Sequence, residues 1–289
     1  MIDSTNLFYN RKALLVTKHN KENVIVPLFK DGFGLDVEVA TKVDTDQFGT
    51  FSGDIERPDT QYNTAKLKIL KAFELYPEAE IAIASEGAFN PHPDCPFIPL
   101  NTEVVLLIDR KKQLEISGRY LSLAANVKKG TVSTMQEAWD LATIIGFPEY
   151  GVVLKAEKNE NNQPYIFKDA TTAGGLEAAL RYFFDISSDG KIEMQTDMRA
   201  HRNPSRMENI KLATFQLIKT IQSVCGQCNT PGFDVKEVIK GLPCSLCNAP
   251  TRSTLSYIYE CKKCSHREEK FFPNGKQQED PGSCDWCNP

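Results

Sequence analysis

Short apolar runs alternate with polar, glycine- and proline-rich stretches along the first two hundred residues. Ala13-Leu14-Leu15-Val16, Asp36–Ala40 and Ile81–Ala84 each read as a strand. Val104–Asp109 and Leu114–Tyr120 flank Arg110-Lys111-Lys112, which predicts a hairpin. Asp59–Tyr62 is a capping start, and Ala65, Ile69, Ala72 and Phe73 recur at helical spacing to about Tyr76. Thr134–Glu137 forms a capping box for a helix to Ile145, which Gly146-Phe147-Pro148 stops. A strand over Gly151–Lys155, a polar loop over Glu157–Gln163 and a helix over Leu176–Phe184 follow. Asn203-Pro204 then opens a long helix to about Ser223, with Met207, Ile210, Leu217, Ile218 and Ile221 on one face. The pattern predicts an α/β domain with a mixed sheet over residues 1–156, a helical connector over 157–224 and a third unit over 225–289.

Cysteines define that third unit. Eight of nine form four Cys-x-x-Cys knuckles: Cys225/Cys228, Cys244/Cys247, Cys261/Cys264 and Cys284/Cys287. Each knuckle aims two sulfurs at one point, and two knuckles make a tetrahedral four-thiolate site with Zn–S bonds of ~2.3 Å. The expectation is a double zinc-ribbon module holding two structural zinc ions; iron–sulfur clusters and disulfides are the alternatives. The apolar and β-branched segment Ser253–Glu260 should be a ribbon strand. A nested pairing is favoured, with the middle knuckles sharing one metal and the outer knuckles the other, against an interleaved cross-brace. Four thiolates leave no open position on a metal, so the module is expected to be a staple rather than a catalyst.

Charge and hydropathy narrow the function classes. The longest aliphatic run, Val104–Ile108, is far shorter than the ~20 residues of a membrane-spanning helix. Met1–Asn6 lacks the basic start and apolar stretch of a secretory signal, and a cytoplasmic location without membrane association is expected. A net charge of −4 weighs against a dedicated nucleic-acid binder. It conceals a local excess from Arg199 to Lys219, where five Lys/Arg face one Glu.

Three groups of residues could carry chemistry. Glu56 and Glu86, assisted by Asp109, offer hard carboxylate oxygens suited to Mg²⁺. Glu86 stands where an apolar strand stops, in Ser85-Glu86-Gly87. Lys18, His19, Asn20 and Lys21 follow the first strand, the usual place for a ligand loop in an α/β sheet. Arg199, His201, Arg202 and Arg206 cluster near the start of the long helix, where backbone N–H groups also attract anions.

Two resemblances add to this reading. Thr17-Lys18-His19, Asp46–Phe51, Ala84–Gly87, Pro91-His92-Pro93, Asp197–Met207, Gly241–Cys247 and Cys284–Pro289 resemble a family of mainly bacterial proteins known as a domain of unknown function. Residues 13–155 are more remotely similar to the inosine/xanthosine triphosphate pyrophosphatase superfamily. There Thr17, Asn20 and Lys21 match a phosphate loop, Glu56 and Asn63–Lys68 a helix, and Ala84–Gly87 an acidic strand end. The resemblance implies a pyrophosphatase-like fold and a Mg²⁺-dependent hydrolase of nucleoside triphosphates or related nucleotides. Glu56 and Glu86 would hold the metal, while Lys18, Lys21, Lys66 or Lys68 would neutralise phosphates. The alternatives are a non-enzymatic zinc protein that binds a nucleotide or a partner, and a nucleic-acid binder using the 199–219 helix.

Overall fold

The computed structural model describes residues 7–49, 59–93, 95–158 and 164–289. Its chain forms a mixed α/β structure with three sheets. The first has the order β2-β1-β3-β4-β5 and comprises β1 (Lys12–Val16), β2 (Asp36–Val39), β3 (Ile81–His92), β4 (Cys95–Asp109) and β5 (Leu114–Ser122). β1 lies parallel to both β2 and β3, whereas β3, β4 and β5 form an antiparallel meander.

Side-chain alternation along β3 sets the two faces of this sheet. Ile81 and Ile83 pack with α1 (Glu22–Phe33) and α5 (Pro204–Gln222). Ala82 and Ala84 pack with α2 (Gln61–Leu75) on the opposite face. Helix α1 buries Ile25, Phe29 and Phe33 at a spacing of four despite Pro27 in its interior, and the hydrophobic pattern alone did not announce it. β3 also runs well past Ala84. Glu86 therefore lies within a strand rather than at its end, but beyond the last β1–β3 pair, Val16↔Ala84.

A second sheet, β6-β9-β7-β8, joins β6 (Lys129–Val132), β7 (Val152–Lys158), β8 (Pro164–Lys168) and β9 (Ile192–Thr196). Helices α3 (Met135–Ile145) and α4 (Ala173–Ile186) cover it and share one apolar core with it. The expected boundary at 156/157 thus falls inside a β-hairpin, and most of the expected connector belongs to this second layer. Thr134 caps α3, its Oγ1 accepting from Glu137 N at 3.2 Å, while Glu137 Oε2 accepts from Ser133 N, one residue before the cap, at 2.7 Å.

Helix α5 returns to the first sheet. Its start is capped by Asn203, whose Oδ1 accepts from Arg206 N at 3.1 Å. Its middle lies directly on β5, where a methyl group at Gly118 would overlap the backbone of Ala213 and Leu217. Its end leads into the third sheet, β10-β11-β12, formed by β10 (Asp234–Lys240), β11 (Thr254–Glu260) and β12 (Arg267–Phe271). Among the described residues, no helix is long and apolar enough to cross a membrane.

The close approach of β5 to α5 predicts that Gly118→Ala lowers stability by about 1–3 kcal/mol in urea unfolding, since backbone cannot yield to the new methyl. Gly174 in α4 has open space around it, so Gly174→Ala should instead raise stability by about 0.5 kcal/mol through helix propensity and a less flexible unfolded chain.

Candidate functional site

The eight knuckle cysteines gather into two tetrads, and the pairing corrects the nested expectation. Cys225, Cys228, Cys261 and Cys264 form one; Cys244, Cys247, Cys284 and Cys287 form the other. The arrangement is interleaved, and the third sheet dictates it. Knuckles and strands alternate along the chain, and each strand runs antiparallel to the next. The first and third knuckles therefore meet at one end of the sheet, and the second and fourth at the other. The seven residues of β11 separate the two ends by about 23 Å, so the middle knuckles cannot share a metal. The pattern reading found β11 but neither β10 nor the wholly exposed β12, and the pairing followed from those two.

The sulfur geometry fits metal ligation. Across the pairs, Cys225–Cys264 and Cys228–Cys261 are 3.7 and 3.6 Å apart, and Cys244–Cys287 and Cys247–Cys284 are 3.8 and 3.7 Å. A tetrahedron with metal–sulfur bonds of ~2.3 Å has edges of about 3.8 Å. A disulfide needs sulfurs ~2.05 Å apart. The local backbone is built for the same purpose. Asn229, Asn248 and Ser265, each just after a second cysteine, adopt left-handed φ near 55–60°, a conformation that asparagine tolerates better than most residues. Their N–H groups donate at 2.9 Å to the carbonyls of Cys225, Cys244 and Cys261. The tetrads are compatible with two structural metal ions such as zinc. The first is seated on the α/β domain: Lys262 Nζ donates to Glu115 O at 3.1 Å, and Gly232 lies against Ile116.

A second constellation occupies the carboxyl ends of β1 and β3. These strands are neighbours, but the helices that follow β1 and β2 pack on opposite faces of the sheet. This is the topological switch point of an open α/β sheet, where ligands bind outside the strand ends. After Val16 the chain turns through two left-handed residues, His19 and Asn20, with φ of 68° and 59°. That turn drops Lys21 into the interior, 6% exposed. Lys21 Nζ donates to Ser85 Oγ at 3.2 Å, and among the described residues it pairs with no carboxylate. Burial, and then the charge of Arg206, push its ammonium down to about 7, with Lys68 acting in the same direction and Glu86 against it.

Two buried ion pairs flank Lys21, one on each face of the sheet. On the α2 face, Lys68 pairs with Glu86. On the α5 face, Arg206 Nε donates to Glu103 Oε1 at 2.8 Å, with the side chains 1% and 0% exposed. Glu103 stands directly across from Gly87, and any side chain at Gly87 would collide with its carboxylate. Asn101 Nδ2 donates to the same Oε1 at 3.1 Å, and Asn209 Nδ2 to Asn101 Oδ1 at 2.7 Å. An open cleft of about 370 Å³, lined in part by Ala88, Asn90, Lys128, Gln195 and Met198, adjoins the network. The Met198 carbonyl accepts from Arg206 Nη1 and the Ala88 carbonyl from Asn101 Nδ2.

The remaining expected site residues are distributed as follows. Thr17 is buried at the end of β1, and Asn20 is exposed on the turn. Lys18 pairs with Asp44 at 2.8 Å. His19 stacks on His201, with ring centroids 5.0 Å apart and planes 20° apart. Burial, then Lys21 and His201, lower His19 to about 3; burial, then Arg199, lower His201. Lys66 does not join Lys68, because it pairs with Glu115 at 2.8 Å on another side of α2. Arg199 is bound by Asp197 and Asp169, each at 2.6 Å, and Arg202 Nη2 donates to Ala170 O. Both arginines therefore tie the lead into α5 to the second layer instead of forming an open anion patch.

Asp109 is also absent from the cluster. It lies at the opposite end of β4, where it pairs with Arg11 and accepts from the backbone N–H of Lys111 and Lys112 in the turn. Glu56 lies outside the described residues. The pattern reading passed over Ser85, Asn101, Glu103 and Asn209. Only Glu103 carried a signal, as a lone acid at the head of the apolar Val104–Ile108 run.

A family model described as Domain of unknown function (DUF6671) matches residues 68–289, a span that includes Lys68, Glu86, Glu103, Arg206 and all eight knuckle cysteines. The comparison with curated proteins gives no match.

The interleaved pairing makes a direct prediction. Cys225→Ser with Cys261→Ser damages one site only, so elemental analysis should find about one metal ion per chain. Cys225→Ser with Cys244→Ser damages both and should leave about none. A nested pairing would give about none for the first double variant.

Proposed function

We propose that this chain, which belongs to the DUF6671 family, binds the phosphate of a small phosphorylated ligand at the β1/β3 switch point, with a nucleotide the favoured class. One observation carries the reading: Lys21 is a buried amine with Lys68 and Arg206 as neighbouring charges and no carboxylate partner among the described residues. Burying an unpaired ammonium is costly, and a bound phosphate is the counter-ion that would relieve the cost. Two structural zinc ions in the cysteine tetrads would hold the module together and take no part in ligand chemistry.

Hydrolysis is the reaction this site would carry out. Outside the cysteine tetrads, no three His, Cys or carboxylate groups converge among the described residues, and Glu86 and Glu103 point to opposite faces of the sheet. Glu86 is the group that fits: a hard oxygen donor beside the phosphate site, engaged by Lys68 until a phosphate competes for that lysine. Glu86 would hold Mg²⁺, and the chemistry such an ion supplies is charge stabilisation at phosphorus. Lys21 and Lys68 orient the phosphate, and the stacked His19 and His201 are held neutral at the mouth of the turn. A nucleic-acid role gains less support, because Arg199 and Arg202 turn inward, Lys211 lies by Glu208 and Lys219 covers Phe215.

Calorimetry of the full chain with nucleoside mono-, di- and triphosphates tests the binding. At least one should bind at pH 7, and Lys21→Met or Lys68→Met should weaken it by about 10- to 100-fold, the scale of a lost charge-assisted contact. Below pH 7 Lys21 is already charged; above it, binding must take up a proton. Affinity should therefore fall as pH rises above 7, by up to about tenfold per unit. The ligand's own phosphates, with a second ionisation near ~6, would push the other way. Lys21→Met should abolish the decline. Glu86→Gln should abolish Mg²⁺-dependent release of phosphate or pyrophosphate while both metal sites stay filled. If no phosphorylated ligand binds, the proposal fails.

A further inference from the structure

We propose that Glu103 makes this crevice selective for tetrahedral anions that carry a hydrogen, so that hydrogen phosphate is accepted and sulfate is refused. The inference rests on the reading of the switch point as a phosphate site and goes beyond it by naming a specificity-determining residue.

The two oxygens of Glu103 differ in their partners. Oε1 is saturated, accepting from Arg206 Nε at 2.8 Å and from Asn101 Nδ2 at 3.1 Å. Oε2 is buried and accepts no hydrogen bond among the described residues. The whole residue is 0% exposed. A bare carboxylate oxygen in the interior is an uncommon arrangement that calls for a donor.

The location of Oε2 indicates which donor. Gly87 lies opposite Glu103 and offers no side chain, so the carboxylate rests flat on that strand. Ser85, the residue that Lys21 touches, is two positions along the same face of β3. Residues so related on neighbouring strands are close enough to act on one small ligand. The charge of Glu103 is also felt at Lys21. On this proposal an anion held by Lys21 meets the ammonium on one side and Oε2 on the other. Hydrogen phosphate satisfies both, because its oxygens accept from the lysine while its P–O–H donates to Oε2. Sulfate has the same shape and the same double charge as the hydrogen phosphate dianion but no hydrogen. It would set one acceptor against another and leave Oε2 unpaired in the interior. Gly87 is part of the device, since any larger residue would displace the carboxylate.

The test uses the full chain with inorganic anions at one pH and one ionic strength, so that Lys21 protonation is common to all. Phosphate and arsenate carry a hydrogen at pH 7; sulfate and selenate do not. Calorimetry on the wild type should show the first pair binding at least about tenfold more tightly than the second, the scale expected for one buried unsatisfied acceptor. Lys21→Met should remove the phosphate signal, which places it in the crevice. Glu103→Gln keeps an acceptor for Arg206 and turns a donor toward the anion, so the preference should collapse or invert. Should that variant fail to fold, the four-anion series on the wild type decides alone. Equal binding of all four anions, lost in Lys21→Met, overturns the role of Glu103 but leaves the phosphate site standing. Binding of none overturns both.

Discussion

The ion pair between Arg206 and Glu103 joins parts of the chain 103 residues apart, and most of the architecture can be traced from it. Arg206 sits in the first turn of α5 and Glu103 in the middle of β4, and both are almost wholly buried. A buried pair adds little net stability compared with apolar packing. Removing one partner, however, strands the other charge and costs about 3–5 kcal/mol. The pair lies at the seating of α5 on the sheet in which Gly118 meets helix backbone and Asn209 meets Asn101. Because the same helix runs on into Cys225, the position of the first cysteine tetrad is set by the same contact. The charge left over at the crevice follows as well. Arg206 is committed to Glu103 and Lys68 to Glu86, so Lys21 is the buried cation without a carboxylate among the described residues.

That imbalance separates a structural network from a receptive one. Internal ion pairs normally close their own accounts of donors and acceptors. Here a buried lysine has no carboxylate partner and a buried carboxylate oxygen has no donor among the described residues, close to the point in the topology where helices diverge from the sheet. The cysteine tetrads contrast with this. Their sulfurs lie at spacings that suit a shared metal ion, their knuckles repeat one backbone pattern, and they lie at the two ends of the third sheet.

The sequence was legible where one physical rule decides the outcome. Four identical Cys-x-x-Cys spacings announced the cysteines that gather into the two tetrads, and the Thr134 and Asn203-Pro204 signals located the starts of α3 and α5. It was less legible where tertiary context decides. Pro27 hid α1 inside an otherwise adequate helical pattern. The charged, exposed β12 carries no hydrophobic period, so the interleaved pairing was out of reach. Arg199 and Arg206 look alike in sequence; one is consumed by Asp197 and Asp169 and the other by Glu103, and none of these partners is a near neighbour except Asp197. Glu103 itself was read past because a single acid beside an apolar run resembles a strand end. Lys66 and Lys68 differ by two residues, yet the turn of the helix sends one to Glu115 and the other into the crevice.

The central claim is that Lys21 is a buried receptor for an anion, and its ionisation can be observed directly. NMR of the lysine side-chain nitrogens, with Lys21 assigned by its loss in Lys21→Met, should give a titration midpoint near 7 in the free protein. Saturating phosphate should raise that midpoint by at least about one unit, because the bound anion favours the ammonium form. A midpoint near ~10.4, the ordinary lysine value, that phosphate leaves unmoved would contradict the account.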